Sequence, residues 1–63
     1  MMHQFKVVYR SNNEVHDFIM NGQATLNKED GEVLEAALID VAQYLSASAK
    51  DLHILSVERL QHL

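Results

Sequence analysis

The chain contains no cysteine, so disulfide bonds and thiolate metal sites are excluded. It has 63 residues, and a domain of that size buries only about 60% of the surface that its unfolded form exposes. Domains this small usually gain stability from disulfides, a metal or a partner subunit. Because the first of these is excluded, self-association is the first source of extra stability to consider, and we expect a homodimer.

Long apolar runs are also missing, since the longest are three or four residues against the roughly 20 that a membrane-spanning helix needs. Residues 1–6 lack the apolar core of a secretion signal. The sequence therefore predicts a cytoplasmic protein with no membrane partner.

Basic side chains are few: five Lys or Arg stand against nine Asp or Glu, which gives a net charge of −4. Nucleic-acid-binding proteins usually carry a basic stripe, because neutralising phosphates supplies much of their affinity. The composition therefore disfavours nucleic acid as the main partner. The apolar share of 48% is ordinary for a folded globular domain, and residues 1–63 are expected to form one.

Two stretches have the period-two pattern of β-strands. In residues 5–10, Phe5, Val7 and Tyr9 alternate with more polar side chains, and residues 14–20 are a second candidate. The intervening polar residues favour a tight turn, so these strands are predicted to form a hairpin.

A possible third strand follows. Asn21 and Gly22 form the dipeptide most typical of a type I′ hairpin turn, which predicts a short strand over residues 23–26. Asn-Gly also ends strands without starting another, so the third strand remains optional.

Residues 33–46 have the period of an amphipathic helix, with either Asn27 or Asp30 at its N-cap. Its apolar half comprises Val33, Leu34, Ala37, Leu38, Val41, Ala42, Tyr44 and Leu45. Its polar half comprises Glu29, Glu32, Glu35, Asp40 and Gln43. Ile39 breaks the pattern, because it lies on the polar side.

Residues 52–58 contain Ile and Val near their centre and are predicted to be the last strand, with a second helix over residues 52–63 as the alternative. The predicted order is β-β-(β)-α-β, an α+β fold with a three- or four-stranded, mainly antiparallel sheet and one helix on one face. The last strand is expected beside the first and antiparallel to it.

One helix covers only one face of a sheet, so some apolar residues are expected on the other. If His16, Phe18 and Met20 face the helix, Val15 and Ile19 face away from it. On the last strand, either Leu55 and Val57 or Leu52 and Ile54 must also face away. The predicted dimer face consists of Val8, Val15, Ile19 and Ile54, with pairing of strand edges as a second route to the dimer.

No catalytic, cofactor or metal site is predicted. The four histidines, at positions 3, 16, 53 and 62, lack the spacing of a metal motif, although His16 and His53 could approach each other. The serines lack a nucleophile elbow, and two glycines do not make a phosphate-binding loop. We therefore expect a protein that is not an enzyme.

The acidic side of the helix is the candidate partner site. Ile39 lies among Glu32, Glu35 and Gln43, and an apolar residue in an acidic setting suits a basic protein partner. A hydrated face that serves solubility and the helix dipole is the simpler explanation of the same charges.

A second hypothesis is a nucleic-acid-associated protein. Lys6 and Arg10, with Tyr9 between them, could form a small basic and aromatic platform on the sheet.

Residues 34–38 (Leu-Glu-Ala-Ala-Leu), followed by Tyr44 and Leu45, resemble the helix of small bacterial antitoxins that have a partial ribonuclease-H-like β-β-β-α-β fold. In that family an acidic domain neutralises a basic, RNA-cleaving toxin, which implies an inhibitor of bacterial or phage-like origin. The resemblance covers about residues 4–58. It departs before the helix, where the family's Gly-Cys and Gly-Asp/Glu-Thr features are absent, and no functional residue is carried over.

Overall fold

A computed structural model describes residues 2–23, 25–44 and 51–60. The elements in chain order are β1 (His3–Ser11), β2 (Glu14–Gly22), α1 (Gly31–Val41) and β3 (Leu52–Arg59). The strands form one antiparallel sheet in the order β2-β1-β3, so the last strand does lie beside the first. The predicted α+β fold with one helix on a small sheet is confirmed. The last segment is a strand, not the alternative helix.

The β1–β2 hairpin turns at Asn12 and Asn13, whose φ angles are 52° and 67°. Positive φ at both central residues is the requirement of a type I′ turn, and Asn tolerates that conformation better than most residues. The turn sets a register in which Val7 lies opposite Phe18. Tyr9 accordingly lies opposite His16.

Asn21 and Gly22 do not form a second hairpin, so that prediction is wrong. Both belong to β2, and neither has a positive φ. Within residues 23–26, the three that the structure describes lie in no strand. Gly22 has a packing role instead, because a Cβ atom there would overlap with the side chain of Leu26.

α1 follows Asp30, the second of the two predicted N-caps. The Asp30 side chain does not cap the helix; its carboxylate accepts a hydrogen bond of 2.8 Å from the Asn27 backbone N–H. Asn27 Oδ1 in turn accepts a 2.9 Å bond from the Glu29 N–H. These two bonds stabilise the turn that leads into α1. The helix ends at Val41, earlier than predicted, and residues 45–46 lie outside the described ranges.

β3 contains an irregularity that the period-two prediction did not anticipate. Val8 lies opposite Ser56 and Tyr9 opposite Ile54, so Leu55 is an extra residue in the ladder. Because of this bulge, Ile54 and Val57 both lie on the helix side of the sheet. The prediction that one apolar pair of β3 must face away is therefore wrong.

The core lies between the sheet and α1. Its buried apolar side chains are Phe5, Val7, Tyr9, Val33, Ala37 and Val41. Leu34 and Leu38, predicted to face the sheet, are exposed. A helix on a sheet touches it along one stripe, and the flanking positions become buried only if another element lies beside it. Among the described residues no second helix does so.

None of the helices in the described ranges is both long enough and apolar enough to cross a membrane.

Candidate functional site

A groove of about 250 Å³ runs between β2 and α1 on the helix side of the sheet, and we call it the β2 groove. Alternation along β2 directs Phe18 and Met20 toward it, and the helical period brings Ala36 and Ile39 over it. The lining residues are Phe18, Ile19, Met20, Ala36, Ile39, Asp40 and Gln43. The groove is thus mainly apolar, with two polar side chains, Asp40 of α1 and Gln43 of the turn that follows it.

Ile39 lies at the mouth of the β2 groove and is 65% exposed, the largest exposure among the large apolar residues of the described chain. Gln43 lines the same groove, and Glu32 and Glu35 are exposed on the same helix. Three of the four residues predicted to bind a partner therefore lie on α1, and Gln43 lies in the turn that follows it. Two of the four line the groove, and the two carboxylates lie on the helix outside its lining.

Asp40 is the residue that sequence reasoning placed wrongly, on the outward polar side. It is half-buried, and its Oδ2 accepts a hydrogen bond of 2.5 Å from the Tyr9 hydroxyl. Burial, followed by this bond to Asp40, raises the pKa of Tyr9 far above its ordinary value. The bond holds the Asp40 carboxylate in the wall of the β2 groove.

An aromatic cluster, which the sequence prediction did not include, lies on the same side of the sheet. His16 stacks on Tyr44 with ring centroids 4.4 Å apart and an interplanar angle of 15°. Tyr9 lies 5.5 Å from His16 and 5.9 Å from Phe18 between ring centroids. These contacts attach the turn after α1 to β2. The alternating pattern of β2 already indicated that His16 and Phe18 face the helix. Tyr44 could not be placed in this way, because it lies beyond the end of α1, where the helical period no longer applies.

A second groove, of about 370 Å³, lies between α1 and β3, and we call it the β3 groove. Leu34, Leu52 and Ile54 form its apolar part. Lys28 lines it together with carboxylates, so its charge is mixed. The β2 groove therefore has the clearer negative character.

The face of the sheet opposite the helix, which we call the open face, carries three of the four residues predicted to form a dimer face. Val15 and Ile19 are exposed and Val8 is half-buried. Asp17 lies between Val15 and Ile19 on β2 and pairs with Lys6, whose Nζ is 3.7 Å from Asp17 Oδ2. Charges thus interrupt the apolar surface of this face.

Ile54 does not belong to that face, which corrects the prediction. It packs against the core cluster of Tyr9, Ala37 and Val41 on the helix side. The bulge at Leu55 is the reason, because it shifts the alternation of β3 by one residue.

The basic and aromatic platform of the second hypothesis is not formed. Tyr9 is fully buried and faces the helix, whereas Lys6 and Arg10 alternate to the opposite face. An aromatic ring without exposed surface cannot stack on a base.

The histidines of the strands are not brought together either. His16 lies on β2 and His53 on β3, with β1 between them, and their cross-strand partners place them on opposite faces. His53 Nε2 lies 2.8 Å from Asp51 Oδ1. No group of three or more potential metal ligands occurs within the described ranges, and His62 lies outside them.

Comparison with known proteins gives no matching family model, no similar curated protein and no similar solved structure.

Proposed function

We propose that this chain is a non-enzymatic protein-interaction module that binds a basic, apolar segment of another protein in the β2 groove. The observation that carries the proposal is the position of Ile39, which is 65% exposed beside an apolar groove and on an acidic helix. An amphipathic helix with Lys or Arg beside a row of Leu-like side chains has the complementary chemistry.

The apolar part of the groove supplies the energetic argument. Complete burial of an Ile side chain contributes about 1.5–3 kcal/mol. Because Ile39 is about two-thirds exposed, a partner that covers it gains about 1–2 kcal/mol. That corresponds to roughly a tenfold change in the dissociation constant. Phe18 and Met20 are half-buried and add further surface for the same partner to cover.

The charges supply the selectivity. Glu32 and Glu35 are exposed on α1 and Asp40 lines the groove, while residues 29–44 contain no Lys or Arg. A single exposed ion pair contributes only about 0–1 kcal/mol. A cluster of one sign also speeds the encounter with a basic partner, and added salt weakens that attraction.

The experiment measures binding of a defined probe, a fluorescently labelled helical peptide with Leu on one face and Lys on the other, by fluorescence anisotropy at low and high salt. A peptide of the same composition in scrambled order is the control for nonspecific attraction. We expect saturable binding of the amphipathic peptide, weaker binding of the scrambled one, and loss of affinity with salt.

Two matched pairs of variants locate the site. Ile39→Ser and Val15→Ser remove apolar side chains of similar exposure, 65% and 62%, from opposite faces. Glu35→Lys and Glu58→Lys make the same charge change on α1 and on the open face. Only Ile39→Ser and Glu35→Lys should weaken binding, the first by about tenfold. Equal effects within each pair, or no saturable binding to the wild-type chain, would refute the proposal.

A further inference from the structure

β2 is an edge strand, and its outer side has no partner strand within the described part of the chain. In a hairpin closed by a two-residue turn, Ser11 and Glu14 form a hydrogen-bonded pair, and such pairs alternate along the ladder. The backbone N–H and C=O groups that point away from β1 therefore belong to Val15, Asp17, Ile19 and Asn21.

Apart from the carboxylates of Glu14 and Asp17, this edge lacks the features by which proteins protect exposed strands. Edge strands are usually blocked by lysine, proline, a bulge or short length. β2 is nine residues long, contains no Lys, Arg or Pro, and pairs with β1 without a register shift. The other edge strand, β3, has the bulge at Leu55 and carries Glu58 and Arg59 near its end.

We propose that the outer edge of β2 pairs antiparallel with β2 of a second copy, with the two-fold axis at Phe18, so that the dimer has one continuous six-stranded sheet. In this register Val15 lies opposite the second copy's Asn21, and Asp17 opposite its Ile19. These are the residues whose backbone groups point outward, so all of them enter the new ladder.

Repulsion between carboxylates favours this register over the one whose two-fold axis lies at Asp17. An axis at Asp17 would set two Asp17 carboxylates directly opposite each other, and like charges in that position are destabilising. The axis at Phe18 avoids this, and it also places Glu14 opposite the small Gly22. It sets the two Phe18 rings against each other across the axis, on the helix side, and aromatic cross-strand pairs stabilise sheets.

The dimer does not depend on partner binding, and it competes with a helical partner for the β2 groove. α1 lies above the central strand, with one groove on each side. In the six-stranded sheet the two helices are three strand spacings apart, about 14 Å at about 4.8 Å per spacing. Packed helices are about 8–10 Å apart, so a helix lying between them would need about 16–20 Å, and the dimer leaves too little room for a helical partner in the β2 grooves.

Sedimentation equilibrium over a range of concentrations and salt tests the pairing. We expect a dimer, and we expect salt to strengthen it, because each copy carries a charge of −4. This salt dependence is opposite in sign to that of binding to a basic peptide, so the two proposals fail separately. A wild-type chain that stays monomeric at all concentrations overturns the inference.

Two glutamate substitutions on the two edge strands form a matched pair. Ile19 on β2 is 53% exposed and Leu55 on β3 is 44% exposed. Ile19→Glu should weaken the dimer about tenfold, because it sets a carboxylate directly opposite the second copy's Asp17. Leu55→Glu makes a similar change on β3 and should leave the dimer nearly unchanged, with circular dichroism to verify that both variants are folded. Equal dissociation constants for the two variants would contradict the edge assignment.

The absence of native cysteine allows a direct test of register. Asp17→Cys and Ile19→Cys proteins, mixed under mild oxidation, should form a mixed disulfide in preference to either self-linked product, since directly opposite residues have Cα atoms within disulfide range. Preferential self-linking of Ile19→Cys would overturn the axis at Phe18. This test does not depend on the folding of the glutamate variants.

Discussion

The Tyr9 hydroxyl donates a hydrogen bond of 2.5 Å to Asp40 Oδ2, which joins the centre of the sheet to the last turn of the helix across 31 positions of the chain. Tyr9 is fully buried and Asp40 is half-buried. A hydrogen bond to a charged group contributes more than one between neutral groups. This bond therefore fixes where α1 sits on β1, and with it the shape of the β2 groove.

Tyr9→Phe tests the contribution of that bond. The substitution keeps the ring and removes the donor, and we expect the free energy of unfolding to fall by about 1.5–3 kcal/mol. Urea denaturation measures the change. Tyr44→Phe is the control, because Tyr44 is exposed and should change stability by less than about 0.5 kcal/mol. Equal stability of the Tyr9→Phe variant and wild type would show that the bond contributes nothing.

The raised pKa of Tyr9 predicts that the stability of the folded chain depends on pH in the alkaline range. The pKa of Tyr9 is raised in the folded chain, so above the ordinary tyrosine pKa of about 10 the unfolded chain loses this proton first. The protonated hydroxyl therefore makes its full contribution to the free energy of unfolding below about pH 10. That contribution is lost as pH rises through the pKa of Tyr9 in the folded chain. The stability advantage of wild type over Tyr9→Phe should shrink between about pH 9 and about pH 11, measured by urea denaturation. A constant advantage over that interval would contradict the linkage.

Leu55 is the extra residue of the β3 bulge, and its deletion should be tolerated. Without it, Ile54 and Val57 still face the helix, because Ser56 alone then separates them. We expect cooperative unfolding and a stability within about 1 kcal/mol of wild type, since Leu55 is 44% exposed and does not belong to the buried core. Deletion of His53 is the control. It turns Leu52 away from the core and should lower the free energy of unfolding by about 1–2 kcal/mol. Thermal and urea unfolding of both deletions measure the difference, and a larger loss for the Leu55 deletion would contradict this account of the bulge.

The hairpin turn gives a further prediction at Asn13, whose φ is 67°. Gly adopts this conformation without strain, so Asn13→Gly should leave stability unchanged or raise it by up to about 1 kcal/mol. Asn13→Val should lower stability by about 1–2 kcal/mol. Asn21→Val makes the same replacement in an extended strand, where a β-branched residue is favoured, and should be tolerated. Similar losses at both positions in thermal unfolding would argue against the left-handed turn.

Local patterns in the sequence were sufficient for the hairpin, the helix and the inward faces of β1 and β2. Alternation alone placed Phe5, Val7 and Tyr9 inside, because side chains of a strand point to opposite faces in turn. The bulge at Leu55 could not be predicted, since it arises from pairing with β1 and leaves no mark in the composition of β3.

The candidate site was predictable only in part. Ile39 stood out because it breaks the polar side of the helix, and it is exposed. The groove beside it was not predictable, because it depends on how far α1 sits from β2. The placement of Asp40 failed because a carboxylate was assumed to be hydrated, whereas Tyr9 supplies a hydrogen-bond donor from a strand distant in sequence.

The most direct test of the proposed binding surface is a titration of isotope-labelled protein with the Leu/Lys helical peptide, followed by backbone amide chemical shifts. The largest shifts should fall around Phe18, Ile39 and Gln43, which line the β2 groove. Shifts centred on Val15 and Glu58 of the open face, or spread evenly over the described chain, would contradict it.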